Sequence, residues 1–248
     1  MNVIYILWLR QLKRYFRSRS RIIGSLGQPI LFLLAFGFGF SSIYKQAGQG
    51  NYFQFLTPGI IAQSVLFTSI FAGIEIIWDR QFGFLKETLV APVSRLQIMI
   101  GRTLGGATVA VFQGFIVLTV ATIFGFRPAN PSMIPVAILF MIITAVLFTA
   151  FGTAVASMLE DMQGFQLIMN FLIMPLFFLS GALFPLSGLP TALGVITAIN
   201  PLSYGVDGMR GAFTAISHFG MLTDFSVLGI MTVVLLVTGS YLFSKIQI

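Results

Sequence analysis

A chain of 248 residues that is 57% apolar and only 8% charged belongs in lipid, because a soluble domain carries about a quarter of its residues charged. The absence of cysteine excludes a disulfide framework, a thiolate metal site and a cysteine nucleophile; the single histidine, His218, has no His or Cys partner for a zinc site. A net charge of +7 does not indicate nucleic acid here, because six of the fourteen basic residues lie between Arg10 and Arg21, directly before the first apolar run.

That basic start is the pattern of a cytoplasmic flank beside anionic headgroups. Within it, Val3, Ile4, Leu7, Trp8, Leu12, Tyr15 and Phe16 follow helical spacing while Arg10, Lys13, Arg14 and Arg17 take the other side. Residues 1–21 are therefore expected to hold an amphipathic helix in the inner interface, with Trp8 and Tyr15 at headgroup depth. It serves as an anchor, or it transmits movement from a cytoplasmic partner into the first span. The apolar run behind it is too long for a signal peptide and lacks a small-x-small cleavage site, so it is read as retained.

About 20 apolar residues cross a bilayer. The candidates are Ile22–Phe40, Phe55–Ile77, Thr103–Phe126, Pro135–Leu159, Gln166–Phe184 and Phe225–Ser244. The fifth belongs to an uncharged run from Met162 to Val206 that Pro185, Gly188, Pro190 and Asn200-Pro201 interrupt. Between Pro190 and Asn200 only about half a membrane thickness of helix fits, so short re-entrant or interfacial helices are expected in region 185–224. The expected fold is an all-α integral membrane protein of six transmembrane helices in one domain, residues 1–248. Eleven Lys and Arg fall on the side of both termini and three (Lys45, Arg127, Arg210) on the other, which places the N- and C-termini in the cytoplasm.

Catalytic chemistry finds no purchase. There is no G-x-x-x-x-G-K-[ST] loop for nucleotide, and no carboxylate pair within the spans for proton relay. Glu75, near the inner end of span two, reads as a snorkelling interface residue. Gln28, Gln63, Gln113, Gln166 and Asn170 lie at membrane depth, where such side chains bond between helices; Gln28 and Asn170 are also candidates to face a central path. Gly101-x-x-x-Gly105 and Gly106 permit close helix approach. Phe177, Phe178 and Phe184 flank the break at Pro185 and form either ordinary packing or a dry constriction. Asp207 and Arg210, three apart, are placed to pair on one helix.

The loop 78–97 concentrates charge: "DRQFGFLKETLVAPVSR" holds five charged residues in seventeen. Leu85 and Leu89 share a helical face beside Lys86 and Glu87, and Pro92 ends the helix. A short helix with an apolar stripe suits docking into a partner's groove, or plain packing at the interface.

Asp79-Arg80, Gly83, Leu85, Glu87, Leu89, Pro92, Ser94 and Arg95 match in order the cytoplasmic loop of ABC type-2 exporter permeases, which this stretch closely resembles, in particular the antibiotic-resistance and nodulation-factor branch. "EDMQGFQLIMNFLIMPLFFLSGALFPLSGLP" resembles that family's entry to span five and its outer break, and "NPLSYGVDGMRGAF" its segment before the last span. The resemblance implies a half-transporter of the cell membrane that binds no cofactor itself. Two copies, or this chain and a related permease, would enclose a path, and each would dock on a separate ATPase subunit holding ATP and Mg. Segment 79–91 would be the coupling helix, with Asp79, Arg80, Phe82, Gly83, Phe84, Leu85, Lys86, Glu87, Leu89, Pro92 and Arg95 meeting the ATPase. The expected activity is ATP-driven export of an amphipathic drug-like or lipid-linked molecule. The rivals are an ATP-independent channel or secondary carrier, and a membrane scaffold.

Overall fold

Backbone groups in hydrocarbon must be satisfied internally, and every regular element among the described residues is a helix. The computed structural model describes residues 3–47, 50–90 and 92–244, apart from the side chains of Arg21, Lys86, Leu89 and Ser244. In chain order the helices are α1 (Val3–Arg17), α2 (Arg19–Gly39), α3 (Ser41–Gln46), α4 (Tyr52–Phe71), α5 (Ile74–Gln81), α6 (Phe84–Val90), α7 (Arg95–Ile123), α8 (Ile134–Met158), α9 (Met162–Phe178), α10 (Thr191–Ile199), α11 (Pro201–Thr214) and α12 (Met221–Ser244).

Among the described residues, five helical stretches are long and apolar enough to cross a membrane: Ile22–Gly39, Tyr52–Gln81, Arg95–Ile123, Pro131–Met158 and Met221–Phe243. They coincide with five of the six expected spans. The remaining one, expected over Gln166–Phe184, is α9, which has 17 residues and stops at Phe178. At 1.5 Å per residue it is about 26 Å long. The next residues, from Leu179 to Pro190, form turns, and two short helices, α10 and α11, follow where half-length helices were expected.

The α4 stretch is the most buried of the five, while α2 and α12 are the most exposed. Around α4 pack α2, α7, α8 and α11, and α12 lies along α8. The helix starts are set by side chains that accept the first free backbone N–H groups. Asn51 accepts from the Phe53 amide at 3.0 Å, Asp161 from Gln163 and Gly164, and Asn200 from Leu202 at 3.0 Å. Asn200 also donates from Nδ2 to the Leu176 carbonyl at 2.7 Å. The Asn-Pro pair thereby starts α11 and ties it to the end of α9.

The first helix does not stand apart from the bundle: α1 packs along α7. The approach is close because the facing residues of α7 are glycines. A Cβ on Gly101 would lie 3.0 Å from the Ile4 carbonyl oxygen, and one on Gly105 would lie 2.8 Å from Gln11 Cβ. The small-residue pair expected to permit close approach therefore seats α1. Gln113 of α7 fastens the same corner. It donates to Tyr15 Oη at 2.9 Å and to Ser25 Oγ, and accepts from Thr68 Oγ1 at 2.8 Å, joining α1, α2, α4 and α7.

At the opposite end α11 is buried almost throughout. The ion pair expected between Asp207 and Arg210 does not form. Asp207 accepts from the His218 and Phe219 amides, each at 2.8 Å. Arg210 donates to the Gly181 carbonyl at 2.8 Å and lies over the Phe55 ring, 3.9 Å from its centroid. Backbone groups left over at helix breaks thus take the place of the partner charge.

Candidate functional site

The charged loop folds as a helix–turn–helix. Residues of α5 continue the direction of α4, the chain turns at Phe82-Gly83, and α6 follows. Gly83 has φ +80°, a left-handed conformation that costs a residue with a Cβ roughly 1–2 kcal/mol. The break at Gly83 divides segment 79–91 between the end of α5 and the short helix α6, which Gly83 and Pro92 delimit. Pro92 stands between α6 and α7, and Ser94 starts α7 by accepting from the Gln97 amide at 3.2 Å.

Asp79 sits at the centre of this corner. It is 4% exposed and accepts from two arginines far apart in sequence. Arg10 of α1 donates from Nη1 to Oδ2 at 3.0 Å and from Nη2 to Oδ1 at 2.6 Å. Arg102 of α7, itself 5% exposed, donates from Nη2 to Oδ2 at 2.6 Å. The two-pronged contact with Arg10 matches the planar guanidinium to the carboxylate. Arg14 extends the network, 3.8 Å from Glu75 and 4.0 Å from Asp79. Glu75 is buried here beside α1; the snorkelling position expected for it is not what the structure shows.

Aromatic faces complete the brace. The Arg10 guanidinium lies 3.7 Å from the centroid of Phe84, and that of Arg14 lies 5.1 Å from the centroid of Trp78. On the other side Arg80 donates to the carbonyls of Ser157 and Leu159, each at 3.1 Å. Those carbonyls belong to the C-terminal end of α8, where the last groups have no partner within the helix. Through Asp79 and Arg80, α5 is bonded to α1, α7 and α8 at once.

The apolar residues of the loop divide. Leu85 is buried in the protein's own core, so it offers no docking face; α6 turns it inward because the short helix has only one covered side. Phe82 and Val90 point outward instead, 74% and 83% exposed. Leu96 and Glu87 are exposed with them, and Arg95 is half-buried at the start of α7. Lys86 and Leu89 lie within α6, but their side chains are outside the described set.

The candidate path residues are not gathered in one place. Gln28 is exposed on α2 and lines a cavity of about 300 Å³ walled by α1, α2, α4, α5 and α7. Asn170 is exposed on α9, which contributes nothing to that cavity. Phe177 is buried, Phe178 is exposed, and their rings meet edge to face at 5.5 Å. Phe184 is half-buried in the turns after α9. Sequence reading passed over Arg10 and Arg102 as generic flanking charge. Arg102 did carry a signal, because it follows Ile98 by four residues on the buried stripe of α7, a costly place for an unpaired charge.

A bundle of apolar helices with a charged helix–turn–helix braced at one end defines a polytopic membrane protein with a structured connection between two of its spans. The sequence matches the ABC-2 type transporter family over residues 2–214, and the chain belongs to that family. It is similar to the putative transport permease ycf38 of Cyanophora paradoxa, with 29% identity over 84% of this chain and 72% of the relative. Similarity to the inner membrane transport permease YadH of Escherichia coli K12 is 27% over 92% of this chain and 89% of the relative. Nodulation protein J of Rhizobium leguminosarum bv. viciae is 27% identical over 83% of this chain and 77% of the relative. Family membership makes the chain the membrane component of an ABC transporter, in a family whose permeases normally pair with an ATPase subunit.

Proposed function

We propose that this chain is the permease subunit of an ATP-driven exporter of the cell membrane and that the α5–α6 corner receives a separate ATPase subunit. The observation that carries the reading is the Asp79 triad under an exposed apolar rim of Phe82 and Val90. A loop with no mechanical task has no need of a buried carboxylate holding two arginines, whereas a lever must not shear from the helices it moves. A partner pressing on the rim displaces α6, and the bonds from Asp79 and Arg80 carry that displacement into α1, α7 and α8. ATP and Mg are held by the partner.

In this reading α9 and the turns after it complete a sixth crossing, both termini face the cytoplasm, and α10 and α11 form the outer re-entrant region. Two copies, or this chain and a related permease, enclose the path. Asn170 and Phe178, exposed on α9, face it, and the Phe177–Phe178 pair and Phe184 narrow it. The cargo is an amphipathic drug-like or lipid-linked molecule leaving the cytoplasm or inner leaflet. Relatives named as transport permeases support the transport part of this reading.

The test is co-expression and co-purification with an ABC ATPase subunit from the same organism. Phe82→Asp with Val90→Asp should leave the permease folded and abolish both capture of the ATPase and ATP-dependent transport in vesicles. ATP hydrolysis by the isolated chain, or flux in liposomes without ATP and without a second protein, overturns the proposal in favour of a self-sufficient enzyme, channel or carrier.

A further inference from the structure

The cavity of about 300 Å³ beside α1 is at the lower end of the size range of small-molecule sites. Its wall is mainly apolar, with Phe67, Phe71 and Val109 along it. Gln63 also faces it, and this side chain is unusual. It is buried, and neither Oε1 nor Nε2 has a hydrogen-bond partner among the described groups. Gln113, one helix away, uses both ends of its amide on Tyr15, Ser25 and Thr68. A carboxamide buried without partners is costly, so Gln63 is a donor and an acceptor held ready for something that enters.

Charge narrows what enters. Among the described residues the one carboxylate on the wall is Glu75, 3.8 Å from Arg14, so the described wall offers neither a free anion nor a free cation. Gly24 and Gln28 mark its mouth on α2, the most exposed side of the wall. We infer that this cavity within a single permease chain binds an uncharged amphipathic molecule, its hydroxyl or amide head on Gln63 and its apolar body along Phe67 and Phe71. The inference rests on the export reading for its purpose, since it names the chemical class of the cargo; the site itself stands on geometry.

The probe is a monoacylglycerol carrying a diazirine and an alkyne in its chain, photolysed with the full-length permease in phosphatidylcholine nanodiscs. Two further probes share the tail and carry a trimethylammonium or a sulfonate head. The glycerol-headed probe should label peptides bearing residues of the cavity wall, with Gln63→Leu lowering that labelling at least tenfold. Gly24→Trp should also block it, because a Cβ there meets nothing within 4 Å and the indole can close the mouth; it serves as the second variant if Gln63→Leu does not fold. Equal labelling in both variants, stronger labelling by either charged probe, label outside the cavity, or no label in the native chain refutes the site and leaves it a water-filled void. Labelling that survives while ATP-dependent transport proves absent removes the export reading and retains the site.

Discussion

Neutralising Asp79 should cost more stability than any other single charge change in this protein. Asp79→Asn keeps the shape of the side chain and removes its charge. Arg102, 5% exposed, then loses the carboxylate it is bonded to, and only the charge of the more distant Glu75 still acts on it. Removing one member of a buried pair costs about 3–5 kcal/mol, mostly through the charge left behind. Arg10 differs, because its side chain is 33% exposed and water screens it. Arg10→Gln should therefore cost about 1 kcal/mol for the ion pair and up to about 1 more for the stack on Phe84. In a chain of this size 1 kcal/mol moves the unfolding midpoint by about 2–4 °C. The expected losses are then about 6–20 °C for Asp79→Asn and about 2–8 °C for Arg10→Gln. Adding Arg102→Met to Asp79→Asn should recover much of the first loss, since both buried charges are then gone. The protein has two tryptophans, Trp8 and Trp78. Trp8 donates to Thr108 at 3.0 Å and Trp78 precedes Asp79, so tryptophan emission during thermal unfolding in one detergent reads this corner directly. An unchanged midpoint for Asp79→Asn, or a double variant less stable than the single one, refutes the reasoning.

Three further changes test other joints of the fold by the same thermal assay. Gly105→Val drives a side chain into Gln11 and should cost about 1–3 kcal/mol by overpacking, with a red shift of Trp8 emission as α1 lifts from α7. Asn200→Ala removes the cap of α11 and its bond to Leu176, and should cost about 1–2 kcal/mol while leaving ATPase capture intact. Asp224 is buried in the first turn of α12 and faces the carboxyl group of Asp207. Asp224→Asn should match or exceed the native midpoint at neutral pH, because it removes the repulsion between two buried carboxyl groups. A clear loss there shows that a proton shared between Asp224 and Asp207 holds the two groups together.

The membrane-scale features were legible because they depend on quantities that add along the chain. Apolar length marked α2, α4, α7, α8 and α12, and prolines marked the broken region after Phe184. The end of α9 was less legible: Leu179 to Phe184 is as apolar as a span, and the residues stop being helical because Gly181, at φ +74°, and the carbonyls held by Arg210 favour a turn. The loop 78–97 was recognisable by its order of residues, but its geometry was not. Leu85 and Leu89 share a face on any helical wheel, and nothing in the wheel says whether that face looks toward a partner or toward the protein. The answer lay in α1, where Arg10 comes 69 residues before Asp79 and fixes α6 with its inner side covered.

That arrangement bears on why the first helix is charged at all. An interfacial anchor needs only apolar residues below and basic residues above. Here Arg10 and Arg14 turn toward Asp79, Glu75, Phe84 and Trp78, whereas Arg17 remains exposed. Part of the basic signal that reads as affinity for lipid headgroups is therefore spent inside the protein, leaving fewer cations to face the membrane surface. Reversing Arg17 to Glu should weaken association of a detached 1–21 peptide with anionic vesicles yet leave the midpoint of the whole chain nearly unchanged. Reversing Arg10 to Glu should do both kinds of damage, because it meets Asp79 with like charge. If the two reversals lower the midpoint equally, α1 acts as an anchor alone and the triad has no part in holding it to α5.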